Sequence, residues 1–139
     1  MKLAIFGSRT LCGAAVREAI VAKVRERGAV HIVTAGEPDG VCHEARTVAR
    51  EMSLPLTVHH LKPKERAAGK YHWRSVAVLS DCDFCQFFHD GKSKGTSNEI
   101  KLAVKRGVPH DVVVMKPTID DADMGRAIAA LRVAMESET

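Results

Sequence analysis

The chain has 139 residues, a formal net charge of +4, 45% hydrophobic residues and 4% aromatic residues. This length predicts a single domain over residues 1–139, since such a chain can bury one sizeable core. No run approaches the about 20 apolar residues that a membrane span needs, and the first residues predict a strand, not a signal peptide. We therefore expect a globular, cytoplasmic protein without membrane contact. The mildly basic charge permits a phosphate-bearing partner without requiring nucleic acid.

Strand-like and helix-like patterns alternate along the chain. Residues 2–8 form an apolar run that predicts a strand, and residues 10–28 follow with helical spacing and a closing glycine. A strand over 31–36, a helix over 39–53 and a strand over 55–61 come next. A basic loop over 62–70 leads to a helix over 71–81, a strand over 83–90 and a helix over 96–107. A strand over 110–116 and a helix over 120–137 complete the pattern.

This alternation predicts an α/β fold. Strands that are separated by helices pair in parallel through right-handed crossovers, and helices cover both faces of the resulting sheet. We expect a single Rossmann-like domain with a parallel sheet of about five strands, in the order 3-2-1-4-5, flanked by helices.

The four cysteines include one C-x-x-C pair, Cys82 and Cys85. Such a pair is compatible with a redox couple or half of a zinc site. There is no second C-x-x-C, and the pair lies beside a strand and not at the beginning of a helix, so we expect reduced, partly buried thiols as in cytosolic proteins. The seven histidines show no metal-binding helix pattern. We predict no metal and no cofactor.

Ligands of parallel sheets bind at the carboxyl ends of the strands. Four segments lie there: "GSRT", "TAGEPDG", "LKPKERAAGKYHWR" and "HDGKSKGTSNE". Glycines let a backbone approach a phosphate closely, and hydroxyl and cationic side chains can hold it. The candidate ligand- and phosphate-binding residues are Gly7, Ser8, Arg9, Thr10, Gly36, Gly40, Gly91, Ser93, Gly95 and Thr96. The alternative for these segments is ordinary turn and helix-cap chemistry.

Two further features have two interpretations each. Glu99 stands three residues after Thr96, and T-x-x-E at the beginning of a helix is the pattern of a capping box. The same carboxylate could instead act on a molecule bound by the loop. The basic loop and the helix after it carry Tyr71 and Trp73, which could stack on a nucleotide base or simply pack on the protein.

These segments, in this order, resemble the SLOG superfamily, in particular its small YspA-like (YpsA-related) branch. The resemblance covers about residues 1–116 and rests on "GSRT", "TAGEPDGVCHEA", "AGKYHWRSVAVL" and "DGKSKGTSNEI". The superfamily includes the LOG-type (lysine decarboxylase-like) phosphoribohydrolases and the DprA DNA-binding proteins. The resemblance implies that Arg74 and Glu99 are the catalytic pair, with Glu99 helping water to reach the anomeric carbon.

The resemblance and the loops together support three hypotheses. The first is a domain that binds a nucleotide, a sugar phosphate or a nucleotide-derived molecule. The second is a phosphoribohydrolase that cleaves nucleoside monophosphates, although "GKS" replaces the P-G-G of those enzymes. The third is a nucleic-acid- or protein-binding module that uses the basic loop. We do not expect nucleic acid as a partner, because the charge is modest and a winged-helix domain is missing. A homodimer is a further expectation.

Overall fold

A computed structural model describes residues 1–64, 69, 71–117 and 132–135. Its main elements are β1 (Lys2–Gly7), α1 (Ala14–Arg27), β2 (His31–Ala35), α2 (Gly40–Glu51), β3 (Leu56–His59), α3 (Tyr71–Ser80), β4 (Phe84–His89), α4 (Lys94–Lys105) and β5 (His110–Val114). The predicted alternation of strands and helices is confirmed over this range.

The five strands form one parallel sheet in the order β3-β2-β1-β4-β5, as predicted. Leu3 of β1 lies opposite Ile32 of β2 on one side and Phe84 of β4 on the other. The strand order therefore reverses between β1 and β4. In sheets of this type, the crevice beyond the carboxyl ends of the strands at this point is the preferred place for a ligand.

Both faces of the sheet are covered by helices. Leu3 and Ile5 of β1 belong to a buried cluster with α1 and most of the apolar side of α2. Ala4 and Phe6 point the other way, into a cluster with α3 and α4. Alternate residues of one strand thus enter different cores, as the two-residue period of a strand requires. This burial on both faces explains why the central strands are continuous apolar runs.

The first helix begins at Ala14, four residues later than the sequence pattern indicates. Gly13 precedes it with a φ of 97°, and the N–H of Leu11 donates to the carbonyl of Ser8, which closes a turn. The Leu11 side chain is fully buried. Residues 8–12 are therefore a loop whose apolar residue enters the core, while Ser8 and Thr10 stay at the carboxyl edge of the sheet.

Part of the predicted chain lies outside the described residues. This applies to residues 65–68 and 70 of the basic loop, to the Tyr71 side chain and to most of the predicted helix over 120–137. Residues 132–135 of that helix are helical. Within the described ranges, no helix is long and apolar enough to cross a membrane.

Candidate functional site

The loop after β4 is organised around the carboxylate of Asp90. Its Oδ1 accepts hydrogen bonds from the backbone N–H groups of Lys92 (2.8 Å) and Ser93 (2.7 Å), and its Oδ2 accepts from the Thr10 hydroxyl (2.7 Å). The Thr10 hydroxyl and then the two N–H groups lower the pKa of Asp90 to about 2, because they stabilise the ionised form. The loops after β1 and β4 are thus joined through one anion.

The same loop determines where α4 begins. Ser93 is the N-cap, and its Oγ accepts from the backbone N–H (3.2 Å) and the hydroxyl (3.0 Å) of Thr96. The Thr96 hydroxyl also lies 3.2 Å from Ser8 Oγ. The interpretation of Glu99 as a capping-box residue was wrong. The helix begins at Lys94, so Glu99 lies beyond its first turn, where no backbone N–H lacks a helical partner.

A cavity of about 700 Å³ opens at the carboxyl edge of the sheet. It is bounded by α3, α4 and the loops that follow β1 and β2. Its lining residues are Arg9, Glu37, His72, Arg74, Ser75, Gly95, Asn98, Glu99, Lys101, Leu102 and Lys105. The cavity therefore brings together four of the predicted site residues. These are Arg9, Arg74, Gly95 and Glu99.

Glu37 connects the two arginines of the cavity. Arg74, whose side chain is only 9% exposed, donates a hydrogen bond from Nη2 to Oε1 of Glu37. Arg9 Nε lies 3.5 Å from the other oxygen of Glu37 and 2.7 Å from Asp39 Oδ1. The Arg9 guanidinium lowers the pKa of Asp39. One carboxylate therefore holds a buried guanidinium from α3 beside an exposed one from the β1–α1 loop.

Glu99 faces this ion pair from α4. Burial raises its pKa to about 8, and the nearby Glu37 carboxylate acts in the same direction, while Arg74 and Ser75 oppose the shift. The Ser75 hydroxyl donates to Glu99 Oε2 at 3.4 Å, a long hydrogen bond. Glu99 is therefore mostly protonated at pH 7. In that state its carboxyl group can donate a hydrogen bond as well as accept one.

Three predicted glycines pack against other parts of the chain. A Cβ on Gly7 would lie 2.4 Å from the carbonyl oxygen of Phe88, and one on Gly36 would lie 2.2 Å from His60 Nδ1. A Cβ on Gly40 would lie 2.4 Å from Arg9 Cα. These contacts position the loops around the cavity. The predicted ligand-binding roles of these glycines stay predictions, as do those of the residues in the loop after β4.

Gly95 has a different environment from those three glycines. It lines the cavity, and a Cβ there would meet nothing closer than Ser93 Oγ at 4.0 Å. A side chain at this position would therefore project into open space beside the cavity.

Sequence reasoning missed several residues of the cavity wall. Glu37 is the first charged residue after β2. Its position at the carboxyl edge of the sheet could have identified it as a candidate site residue. Lys101 and Lys105 are four residues apart on one helix, so they lie on the same side of it. Nothing in the sequence showed that this side of α4 faces α3, because the direction of a helix face depends on how the helix packs.

The cysteines show no feature of a redox or metal site. All four are free, and burial raises the pKa of Cys82 to about 11 and that of Cys85 well above its usual value. Such thiols stay protonated and react slowly. In the described part of the chain, no group of three or more histidine, cysteine or acidic side chains could hold a metal ion.

No protein-family model matches the sequence, and no curated protein matches it significantly. Among solved structures, the chain is similar to the DNA processing protein A of Helicobacter pylori, in a structure that describes its single-stranded DNA binding mode. The TM-score is 0.55 and the sequence identity is 21%, over 84% of this chain and 66% of that chain. This chain thus spans just under two thirds of the length of that protein.

This similarity corrects one expectation. We did not expect nucleic acid as a partner, and that expectation was wrong, because a solved structure with a similar fold belongs to a protein that binds single-stranded DNA. The comparisons offer no support for the YspA-like branch in particular. They show that this chain shares the α/β fold of DNA processing protein A over the aligned residues.

Proposed function

We propose that the cavity at the carboxyl edge of the sheet binds a nucleotide or a nucleotide-derived molecule. The observation that carries this proposal is the convergence of Arg9, Glu37, Arg74 and Glu99 on one cavity of about 700 Å³. Ligand pockets commonly have volumes of about 300–1,000 Å³ and contain a few converging polar groups. The position beside the reversal of strand order supports the same use.

The cavity has polar groups suited to the parts of a nucleotide. Glu99, in its protonated form, and Ser75 can exchange hydrogen bonds with sugar hydroxyls or with the edge of a base. Leu102 provides an apolar surface in the same wall. Cationic side chains at the mouth, including Lys101 and Lys105, favour a ligand with negative charge.

A thermal-shift experiment with ribonucleoside monophosphates at millimolar concentration tests this function. A ligand at 100 times its Kd stabilises the folded protein by about 2.7 kcal/mol, which raises Tm by several degrees. Gly95→Leu should abolish the shift, because the new side chain enters the cavity, and Gly95→Ala is the matched control that should retain it. No shift with any monophosphate in the wild-type protein would refute the proposal.

Binding of single-stranded DNA is the second candidate function. Its support is the similarity in fold to a single-stranded DNA-binding protein, together with the basic residues that α4 presents at the cavity. Fluorescence anisotropy with a labelled oligothymidine at low salt tests it. Binding should weaken steeply with salt, since the logarithm of the association constant falls by about 0.7 for each phosphate contacted per tenfold rise in salt. No binding at low salt would exclude this candidate.

Four further features stay predictions. They are the single-domain organisation over residues 1–139, the cytoplasmic location, the homodimer and membership of the YspA-like branch. Light scattering of the purified protein would test the homodimer directly.

A further inference from the structure

Backbone donors of the loop after β4 are already occupied by a carboxylate of the protein itself. The Asp90 carboxylate accepts from the N–H groups of Lys92 and Ser93, and the N–H of Gly91 donates to His89 Nδ1 at 2.8 Å. These are the backbone donors that a glycine-rich loop would offer to a phosphate. A phosphate placed there would meet an ionised carboxylate and would have to displace it.

The inner part of the cavity offers little net positive charge. The Arg74 guanidinium is paired with Glu37, and Glu99 lies beside that pair. A phosphate at this depth would lie close to two carboxyl groups. The inner part is better suited to neutral hydrogen-bonding groups, for which Ser75 and Glu99 provide partners.

Positive charge lies instead on the outer wall, which is formed by α4. Lys101 and Lys105 line the cavity, are exposed, and lie about 6 Å apart along the helix axis. Among the described residues, neither ammonium group has a carboxylate within salt-bridge distance. Lys23, by contrast, is paired with Glu26 and Asp111. The two cavity lysines are therefore available to an anionic ligand.

We propose that Lys101 and Lys105 bind the phosphate of the ligand, and that the neutral end of the ligand points toward Ser75 and Glu99. The backbone N–H groups of the loop after β4 then keep their hydrogen bonds to Asp90. This inference rests on the proposed nucleotide-binding function. It assigns the phosphate to lysine side chains of α4, four residues apart, and not to backbone N–H groups of the glycine loop. It also predicts that the affinity for the phosphate depends on salt, because exposed charges are screened.

The experiment compares adenosine 5′-monophosphate with adenosine, and two double variants with the wild-type protein, by calorimetric titration. Lys101→Ala/Lys105→Ala removes the proposed phosphate ligands. Lys92→Ala/Lys94→Ala is the matched control, which removes the same charge from the loop and the beginning of α4. All four lysines are exposed, so both variants are expected to fold, and circular dichroism checks this.

We expect the α4 variant to bind the monophosphate about tenfold more weakly, while its affinity for adenosine changes less than about twofold. The loop variant should bind both ligands like the wild type. If the loop variant alone loses affinity for the monophosphate, or if the α4 variant loses none, the inference is wrong and the nucleotide-binding function remains. If the wild type binds neither adenosine nor any monophosphate of the thermal-shift panel, including adenosine 5′-monophosphate, both the function and the inference are refuted.

Discussion

Arg74, near the beginning of α3, donates a hydrogen bond to Glu37, which lies two residues after the end of β2. The two residues are 37 positions apart in the sequence, and their hydrogen bond joins two different connections between strands of the sheet. The pair also forms the buried side of the cavity, with Glu99 beside it. The stability of this region and the ligand binding that we propose for the cavity therefore involve the same two side chains.

Replacing one partner of this pair should destabilise the protein. Arg74→Met removes the buried guanidinium that pairs with Glu37 and whose charge acts on Glu99, and we expect a loss of about 2 kcal/mol in the free energy of unfolding. The double variant Arg74→Met/Glu37→Gln should recover part of this loss, since position 37 then carries no charge that has lost its Arg74 partner. Urea denaturation of the wild type, Arg74→Met, Glu37→Gln and the double variant measures the coupling. Additive effects would mean that the two side chains do not interact.

Glu99 should make stability depend on pH. Its pKa is about 8 in the folded protein and about 4.5 when unfolded, so between these values only the folded state holds the proton. Stability should therefore fall as the pH rises from about 4.5 to 8. Glu99→Gln lacks this titration and should gain a few kcal/mol relative to the wild type between pH 5 and pH 8, since one pKa unit corresponds to about 1.4 kcal/mol.

Chemical denaturation at pH 5 and pH 8 measures this difference between Glu99→Gln and the wild type. The control is Glu18→Gln, an exposed position on α1, which should show the pH dependence of the wild type. A Glu99→Gln protein whose stability follows the wild type at both pH values would show that the carboxyl group is not held protonated.

The predicted phosphoribohydrolase activity has a testable pH profile. A carboxylate that helps water to reach the anomeric carbon must be ionised, and Glu99 ionises only near pH 8. Release of free base from nucleoside monophosphates, if catalysed in this way, should increase as the pH rises toward about 8. Glu99→Gln should lose the activity at every pH. A Glu99→Gln protein as active as the wild type would remove the catalytic role of Glu99, which at present is a prediction only.

Gly40 should be more sensitive to substitution than Gly28. Both have positive φ angles, 73° and 63°. A Cβ on Gly40 would lie 2.4 Å from Arg9 Cα, whereas a Cβ on Gly28 would meet nothing within 4 Å. We expect Gly28→Ala to cost about 1 kcal/mol from the backbone conformation alone, and Gly40→Ala about 3 kcal/mol or more. Thermal unfolding of both variants measures this. Equal losses of stability would show that the backbone around Gly40 and Arg9 can shift to accommodate the added Cβ at little cost.

Ser93 should contribute to the stability of α4 as its N-cap. Ser93→Ala removes the acceptor of the Thr96 N–H, and we expect a loss of about 1 kcal/mol. Ser80→Ala, at the exposed end of α3, is the control and should change stability by less than about 0.5 kcal/mol. Urea denaturation distinguishes the two. A Ser93→Ala protein as stable as the control would mean that another group caps the helix.

The fold could be predicted from the sequence because its signals are local. Apolar runs of strand length, helical spacing between them and closing glycines such as Gly28 and Gly107 all act over a few residues. Their alternation leaves few topologies that obey right-handed crossovers, and the strand order β3-β2-β1-β4-β5 is one of these. The edge of the sheet where a ligand would bind follows from the same topology.

The sequence by itself thus determined the α/β architecture and the loops at its carboxyl edge. Only the tertiary structure decided that Glu37 pairs with Arg74, that Asp90 occupies the loop after β4 and that Ser93 caps α4. Glu37 and Arg74 meet only because two crossovers pack beside each other, and Thr10 and Asp90 are 80 residues apart. The sequence allows many possible partners for each charged side chain. The packing of helices and loops determines which of them it contacts.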